Sequence, residues 1–163
     1  MKIAGIDAST TCSGIAINEN GKLTFHDTIN MKNNKNSEKR IMNMMGELGA
    51  FILDYSPDAV YIEDSWNKQN IETTKMLSNI LGAVMYVCEE NGIAFVKILP
   101  SVWRATVGIS LTEGSRKLKR EELKQAAIDR VARVHKIKCE DDEAEGICIA
   151  DAGHILHADN LFE

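Results

Sequence analysis

The chain has 163 residues, of which 44% are hydrophobic and 26% charged, a composition that suits one domain spanning residues 1–163. Its apolar runs are shorter than the roughly 18 residues that a membrane span needs, and its start lacks a signal-peptide pattern, so we expect a cytoplasmic protein with no membrane partner. The formal net charge of −5 argues, taken alone, against binding to nucleic acid.

Three strands joined by short turns are predicted at the start of the chain. They cover residues 1–8, 12–18 and 22–29, and residues 19–21 (Glu-Asn-Gly) carry the Asn-Gly signal of a tight hairpin turn. This succession predicts an antiparallel meander.

Helices and strands alternate in the middle of the chain. A helix capped by Ser37 is predicted to run to about residue 55, with apolar residues at helical spacing. It is followed by a strand at 59–63, a long helix at 70–91 and a strand at 93–99.

The last third of the chain is predicted to be mostly helical. In order it contains a short helix from Pro100, a flexible loop at 108–115, a basic helix at 119–134 and a last helix, capped by Asp141 or Asp142, that runs to about residue 157. Together the elements predict an α/β fold, with a five-stranded mixed sheet and helices on both of its faces.

Positive charge is concentrated in residues 116–138. This segment holds nine lysines and arginines against three acids, a net charge of +6, which leaves −11 for the rest of the chain. Such a run is usually a solvated helix face. It also fits a surface that contacts DNA phosphates beside an acidic metal site.

Four acids stand where strand ends and a helix start could bring them to one point. Asp7 ends the first strand, Glu63 ends the fourth, and Asp142 and Glu145 lie three apart at the start of the last helix. Gathering carboxylates is costly because their charges repel and burial disfavours the charged form. A hard cation such as Mg²⁺ or Mn²⁺ removes that cost, and two such ions roughly 4 Å apart can support phosphodiester cleavage.

Each acid also fits an ordinary structural role. Asp7 could bind backbone amides of the following turn, and Glu63 or Asp64 could be an exposed strand-end charge. Asp142 could form a capping box with Glu145. Asp141 is an alternative to Asp142, since it would pair with Glu145 at the i, i+4 spacing.

The chain contains, in order and across nearly its whole length, the segments GIDASTTCSGIAI, VYIEDSW, ILPSVWRATVGI and DDEAEGICIADA. These segments resemble the sequence blocks of RuvC-type Holliday junction resolvases. The resemblance implies a ribonuclease H-like fold in which Asp7, Glu63, Asp142 and Glu145 are the catalytic and metal-binding residues. Glu145 stands where many family members have Asp, and its longer side chain changes the metal geometry that the family pattern implies.

The resemblance also implies roles for aromatic and basic residues. Trp66, three residues past the second acid, matches an aromatic residue that could stack on an unpaired DNA base. Lys119 or Arg120, and also Arg104, fall near basic residues that assist catalysis or contact phosphate. Trp66 could instead cover the sheet edge, and Trp103 is expected in the core.

With this resemblance we expect a homodimer that binds a four-way DNA junction and makes two symmetric, metal-dependent nicks, with two Mg²⁺ or Mn²⁺ ions per site. The helix at 70–91 is the expected dimer element because it carries an apolar stripe that includes small residues. The stripe consists of Met76, Leu77, Ile80, Leu81, Gly82, Ala83, Val84 and Met85. The same stripe could instead pack only on the sheet.

Three other functions fit parts of the sequence. GIDASTTCSG also resembles the first phosphate loop of actin-like and sugar-kinase ATP-binding domains, but that class needs two such domains and the chain offers one. A non-catalytic DNA-binding module would have lost an acid, and all four are present. A ribonuclease H-like nuclease for other branched DNA or RNA–DNA hybrids is the third, and Trp66 with the last acid pair favours the junction enzyme over it.

Overall fold

The computed structural model describes residues 1–64 and 70–159, and its centre is a five-stranded mixed sheet. The strands are β1 (Lys2–Asp7), β2 (Cys12–Glu19), β3 (Lys22–Asn30), β4 (Ala59–Glu63) and β5 (Ala94–Ile98). They lie in the order β3-β2-β1-β4-β5, in which the first three form an antiparallel meander and β4 and β5 run parallel to β1. The prediction of a mixed sheet is therefore confirmed.

Five helices accompany the sheet in the described part of the chain. They are α1 (Ser37–Tyr55), α2 (Ile71–Glu90), α3 (Pro100–Thr106), α4 (Arg120–His135) and α5 (Asp141–Asp159). A two-stranded hairpin, β6 (Thr112–Glu113) and β7 (Arg116–Lys117), lies between α3 and α4. Within residues 1–64 and 70–159, no helix is both long and apolar enough to cross a membrane.

The helices cover both faces of the sheet, and each face has its own apolar core. On one face, α1 and α2 bury Leu48 and Ile80 in a cluster with Ile62 of β4. On the other face, Trp103 of α3 and Ile147 of α5 belong to a second cluster, which α4 completes. This division confirms the prediction of helices on both faces.

Parallel pairing places the ends of β1 and β4 at the same edge of the sheet. Ile6 pairs with Ile62, so the residues that follow them, Asp7 and Glu63, leave the sheet side by side. On the other side of β1, Gly14 of β2 lies opposite Asp7. The carboxyl ends of these two parallel strands are where an α/β fold usually forms a site.

Helix α5 contacts β1 and β2 backbone to backbone, because glycines stand where the elements meet. A Cβ added at Gly14 would lie 1.7 Å from the carbonyl oxygen of Asp142, and one at Gly5 would lie 2.2 Å from the amide nitrogen of Ala150. A Cβ at Gly146 would lie 2.7 Å from the carbonyl carbon of Gly14. The start of α5 is therefore fixed against β2, at the residue that pairs with Asp7.

Two local predictions are wrong. The flexible loop predicted at 108–115 contains β6, because a strand of two residues is too short to show any periodicity. Helix α1 is capped by Asn36, whose side chain accepts a 2.9 Å hydrogen bond from the Lys39 amide, so Ser37 is the first residue of the helix and not its cap.

Some apolar residues of α2 are buried in the fold, and others are exposed. Ile80 and Val84 are buried in the core cluster that contains Ile62 of β4, so for these two residues the alternative of packing on the sheet is confirmed. Met85 and Tyr86 are 53% and 64% exposed. Helix α2 therefore also presents apolar side chains away from the core.

Candidate active site

A cavity of about 640 Å³ lies where β1 and β4 end and α5 begins. All four predicted acids, Asp7, Glu63, Asp142 and Glu145, line this cavity. The structure thus brings together residues from two strands and a helix that are far apart in the chain, as the sequence predicts.

Asp7 ends β1 with only 8% of its surface exposed. Burial is the largest cause that raises the pKa of its carboxyl well above the ordinary value, because the charged form loses hydration there. The charges of Glu63, Glu145 and Asp142 raise this pKa further, and the ammonium of Lys124 lowers it. The other three acids therefore lie close enough to act on Asp7.

In the turn after β1, the Ser9 and Thr11 amides bond hydroxyl groups of the turn and do not bond Asp7, so the alternative role of Asp7 as their partner is wrong. The Ser9 amide donates to the Ser13 hydroxyl at 2.9 Å, and the Thr11 amide donates to the Ser9 hydroxyl at 3.2 Å. The carboxylate of Asp7 is left to face the cavity.

Glu63 is held by a tryptophan. Its Oε2 accepts a 2.7 Å hydrogen bond from the indole Nε1 of Trp103, which is fully buried on α3. Burial is the largest cause that raises the pKa of Glu63, whereas the Trp103 hydrogen bond lowers it. Trp103 is in the core as expected and also orients an acid of the cavity, and the burial of Glu63 rules out an exposed strand-end charge.

Glu145 is held by an arginine. Its Oε1 accepts a 2.5 Å hydrogen bond from Nη2 of Arg104, the residue after Trp103. The guanidinium carbon of Arg104 lies 4.3 Å from the centroid of the Trp103 ring, within the range of a cation–π contact. Neighbouring residues of the short helix α3 therefore hold two different acids of the cavity.

Lys124 of α4 contacts the acids at the start of α5. Its ammonium lies 2.5 Å from Oδ2 of Asp141 and 3.4 Å from Oδ1 of Asp142. The hydrogen bond from Lys124 lowers the pKa of Asp141. The sequence did not single out Lys124, and its place in the basic segment 116–138 was the available signal.

The structure separates the two neighbouring aspartates. Asp142 lines the cavity and Asp141 does not, so Asp142 is the acid that joins Glu145 there. Both aspartates lie inside α5, which begins at Asp141. The prediction that one of them caps the helix is therefore wrong, and so is the capping-box alternative.

The predicted basic residues differ in position. Arg104 and Arg120 line the cavity. Lys119 does not line it: its backbone amide donates to Oε2 of Glu122 at 2.7 Å just before α4, and its side chain is exposed. Trp66 lies outside the described residues, so its stacking on DNA stays a prediction.

The chemistry of the cavity suits a hard divalent cation, because carboxylate oxygens are the ligands that Mg²⁺ and Mn²⁺ prefer. The raised pKa values of Asp7 and Glu63 reflect buried negative charge that a bound cation would stabilise. Among residues 1–64 and 70–159, no three metal-binding side chains are already gathered tightly enough to hold an ion. Trp103 and Arg104 each bond a carboxylate of the cavity, Glu63 and Glu145 respectively.

A second buried charge cluster lies further along α5 and has a structural role. Asp151 accepts hydrogen bonds from Arg130 Nη1 at 2.6 Å and Asn18 Nδ2 at 2.8 Å, and lies 2.8 Å from His135 Nε2. Arg130 also donates to the Val107 carbonyl at 3.1 Å. These contacts tie α4 and β2 to the helix that carries Asp142 and Glu145.

The family model for crossover junction endodeoxyribonuclease RuvC matches residues 3–150 of the chain. A protein of the same description from Syntrophomonas wolfei subsp. wolfei is 24% identical over 155 residues, which cover 92% of this chain and 86% of that protein. The matched span of the family model contains all four acids that line the cavity.

Solved structures share the architecture. Thermus thermophilus RuvC in complex with a Holliday junction substrate has a TM-score of 0.76 at 16% identity, covering 97% of this chain and 95% of that one. The yeast mitochondrial Holliday junction resolvase Ydc2 has a TM-score of 0.55 at 15% identity, covering 98% of this chain and 82% of that one. The predicted ribonuclease H-like fold is confirmed by these likenesses.

Proposed function

The chain belongs to the RuvC family of crossover junction endodeoxyribonucleases, and from this premise we propose that the cavity resolves four-way (Holliday) DNA junctions by paired nicks. The proposed catalytic and metal-binding residues are Asp7, Glu63, Asp142 and Glu145. The observation that carries the proposal is that these acids, from two strands and one helix, line a single cavity together with two arginines.

The proposed cofactor is Mg²⁺ or Mn²⁺, with two ions per site held by the four acids. When bound, such ions polarise the scissile phosphate and lower the pKa of the attacking water. The side chains of the protein position the ligands: the strand ends fix Asp7 and Glu63, and Trp103 orients the Glu63 carboxylate through its 2.7 Å hydrogen bond. The proposed products carry 5′-phosphate and 3′-hydroxyl ends.

The basic segment 116–138 is proposed to hold the DNA backbone. Several of its cations are exposed: Lys117, Lys119, Arg120, Arg133, Lys136 and Lys138. Arg120 connects this surface to the cavity, since it also lines the cavity wall. Arg130 takes no part, because it is buried against Asp151. DNA affinity should therefore fall steeply with salt, by a slope of about −0.9 per phosphate contact on a logarithmic plot.

A homodimer is part of the proposal, because two symmetric nicks in a four-way junction need two matching sites. Exposed Met85 and Tyr86 on α2 support this helix as the contact. A Cβ at Gly82 on the same helix would meet nothing within 4 Å, so the surface there is open to a second copy. Light scattering should give twice the chain mass of 18.1 kDa, and Tyr86→Glu should shift the protein toward the monomer.

The function is tested with a synthetic four-way junction, a linear duplex and an RNA–DNA hybrid, each with and without Mg²⁺. The wild-type protein should nick the junction symmetrically, and only when Mg²⁺ is present. Asp7→Asn should abolish nicking and keep junction binding, because it removes a ligand and leaves the basic surface intact.

The matched control is Asp54→Asn, which makes the same chemical change at an exposed position of α1. This variant should cut the junction like the wild type. Mg²⁺-dependent nicking by Asp7→Asn would refute the assignment of the site. Cleavage of the RNA–DNA hybrid in preference to the junction would favour the ribonuclease H-like alternative.

A further inference from the structure

We propose that Arg104 is a built-in counter-ion of the active site, which occupies Glu145 until a divalent cation displaces it. The inference rests on the proposed function, since it takes Glu145 as a metal ligand. It assigns Arg104 the role of a positioning residue that sets how readily the site accepts metal.

The first support is the burial of this ion pair. The side chains of Arg104 and Glu145 are only 11% and 7% exposed, and their contact is 2.5 Å. A pair with so little contact with water is weakly screened, so the guanidinium satisfies much of the charge of the carboxylate. A metal ion that uses Oε1 of Glu145 must compete with Arg104 for the same oxygen.

The second support is that the hold of Arg104 on Glu145 is incomplete. A single N–H of the guanidinium bonds the carboxylate, in place of the two parallel bonds of a bidentate pair. Within the described residues, the Nε of Arg104 is buried and has no hydrogen-bond partner. A donor left without a partner weakens the arrangement, so the guanidinium can leave Glu145 without breaking an optimal network.

The third support is the contrast with the neighbouring residue. Trp103 is a neutral donor, so it orients Glu63 and leaves the negative charge of that acid in place. Arg104 is a cation, so it neutralises Glu145. Metal binding therefore requires that the cation replace Arg104 at Glu145, whereas Trp103 can stay bonded to Glu63. This agrees with the lack of a ready-made metal site among the described residues.

Calorimetric titration of the whole protein with Mn²⁺, in the absence of DNA, tests the proposal. Arg104→Gln removes the competing cation and should bind Mn²⁺ about tenfold more tightly than the wild type, which corresponds to about 1.4 kcal/mol. Arg120→Gln is the matched control, because it removes the same charge from the same cavity wall and Arg120 makes no hydrogen bond to Glu145 in the described structure. Its Mn²⁺ affinity should change by less than about threefold.

A double-mutant cycle with Glu145→Gln separates competition for one carboxylate from a general effect of charge. In the Glu145→Gln background, Arg104→Gln should no longer tighten Mn²⁺ binding. Arg104→Met also removes the cation but leaves an unbranched apolar side chain beside Trp103, and it should tighten binding as Arg104→Gln does. It replaces Arg104→Gln if the glutamine variant melts early.

The proposal is overturned if folded Arg104 variants bind Mn²⁺ no more tightly than the wild type. It is also overturned if Arg120→Gln tightens binding equally, or if the gain persists in the Glu145→Gln background. These outcomes differ from a failure of the proposed function. If the proposed function were wrong, the wild-type protein would neither bind Mn²⁺ nor nick the junction.

Discussion

Replacing Gly14 with alanine tests whether the close contact of α5 with β2 sets the geometry of the active site. Gly14 pairs with Asp7 across the sheet, and an added Cβ would lie 1.7 Å from the carbonyl oxygen of Asp142. That oxygen belongs to the backbone, so it cannot turn aside like the end of a flexible side chain. One methyl group on β2 would therefore act on Asp142 of α5, which it would contact, and on Asp7 of β1, which pairs with residue 14.

The size of the effect follows from the contact distance. Restoring a separation of 3.0 Å, below which real Cβ contacts essentially never fall, requires the start of α5 to retreat by about 1.3 Å. Overpacking of this kind typically costs about 1–3 kcal/mol, and a loss of about 2 kcal/mol lowers the melting temperature of a chain of this length by about 4–8 °C. A displacement of about 1 Å in an active site can lower the rate about a hundredfold.

The two effects are measured by thermal unfolding and by single-turnover cleavage of a four-way junction at saturating Mg²⁺. Gly46→Ala is the matched control, because it makes the same change within α1 where a Cβ would meet nothing within 4 Å. It should melt slightly higher, since alanine favours a helix over glycine by about 1 kcal/mol, and should cleave normally. A Gly14→Ala protein that melts and cleaves like the wild type would refute the reasoning.

Three further predictions follow from buried contacts. Trp103→Phe keeps an aromatic side chain but removes the hydrogen bond that lowers the pKa of Glu63, so the acid limb of the cleavage pH profile should move to higher pH. An unmoved limb would count against the role of this bond. The pKa of Asp7 is raised in the folded protein, so this acid lowers the stability progressively as the pH rises from its ordinary pKa to the raised one. Metal-free Asp7→Asn should therefore withstand more urea at neutral pH than the wild type, and an equal or lower urea midpoint would contradict this. Asp151→Ala leaves Arg130 buried without its ion-pair partner and should lower the unfolding free energy by about 3–5 kcal/mol in urea titrations, and a loss below about 1 kcal/mol would contradict it.

The positions of the two acids at the ends of strands β1 and β4 could be predicted from the sequence. Asp7 and Glu63 each follow an unbroken apolar run, so the end of the strand and the placement of the acid can be read from the same few residues. Parallel pairing of β1 with β4 then brings the two acids to one edge. The sequence also showed the concentration of positive charge in residues 116–138, although it did not show that Arg130 of this segment is buried against Asp151.

The partners of the acids could not be predicted. Trp103 lies 40 residues from Glu63, so their contact depends on how α3 lies against β4. Lys124 lies 18 residues from Asp142, so their contact depends on how α4 lies against α5. The Asp151 network was missed for a related reason. Residues 144–153 of α5 are buried on every side, whereas reasoning from one helix face assumes that the other faces meet water.

The glycine contacts of α5 also limit how this enzyme can diversify. At Gly5, Gly14 and Gly146 any larger side chain would separate the helix from the strands, so these positions should tolerate almost no variation in a mutational library. New preferences for branched DNA must therefore arise elsewhere, for example in the exposed hairpin at 112–117. Directed evolution of this nuclease should hold the three glycines constant and randomise that hairpin.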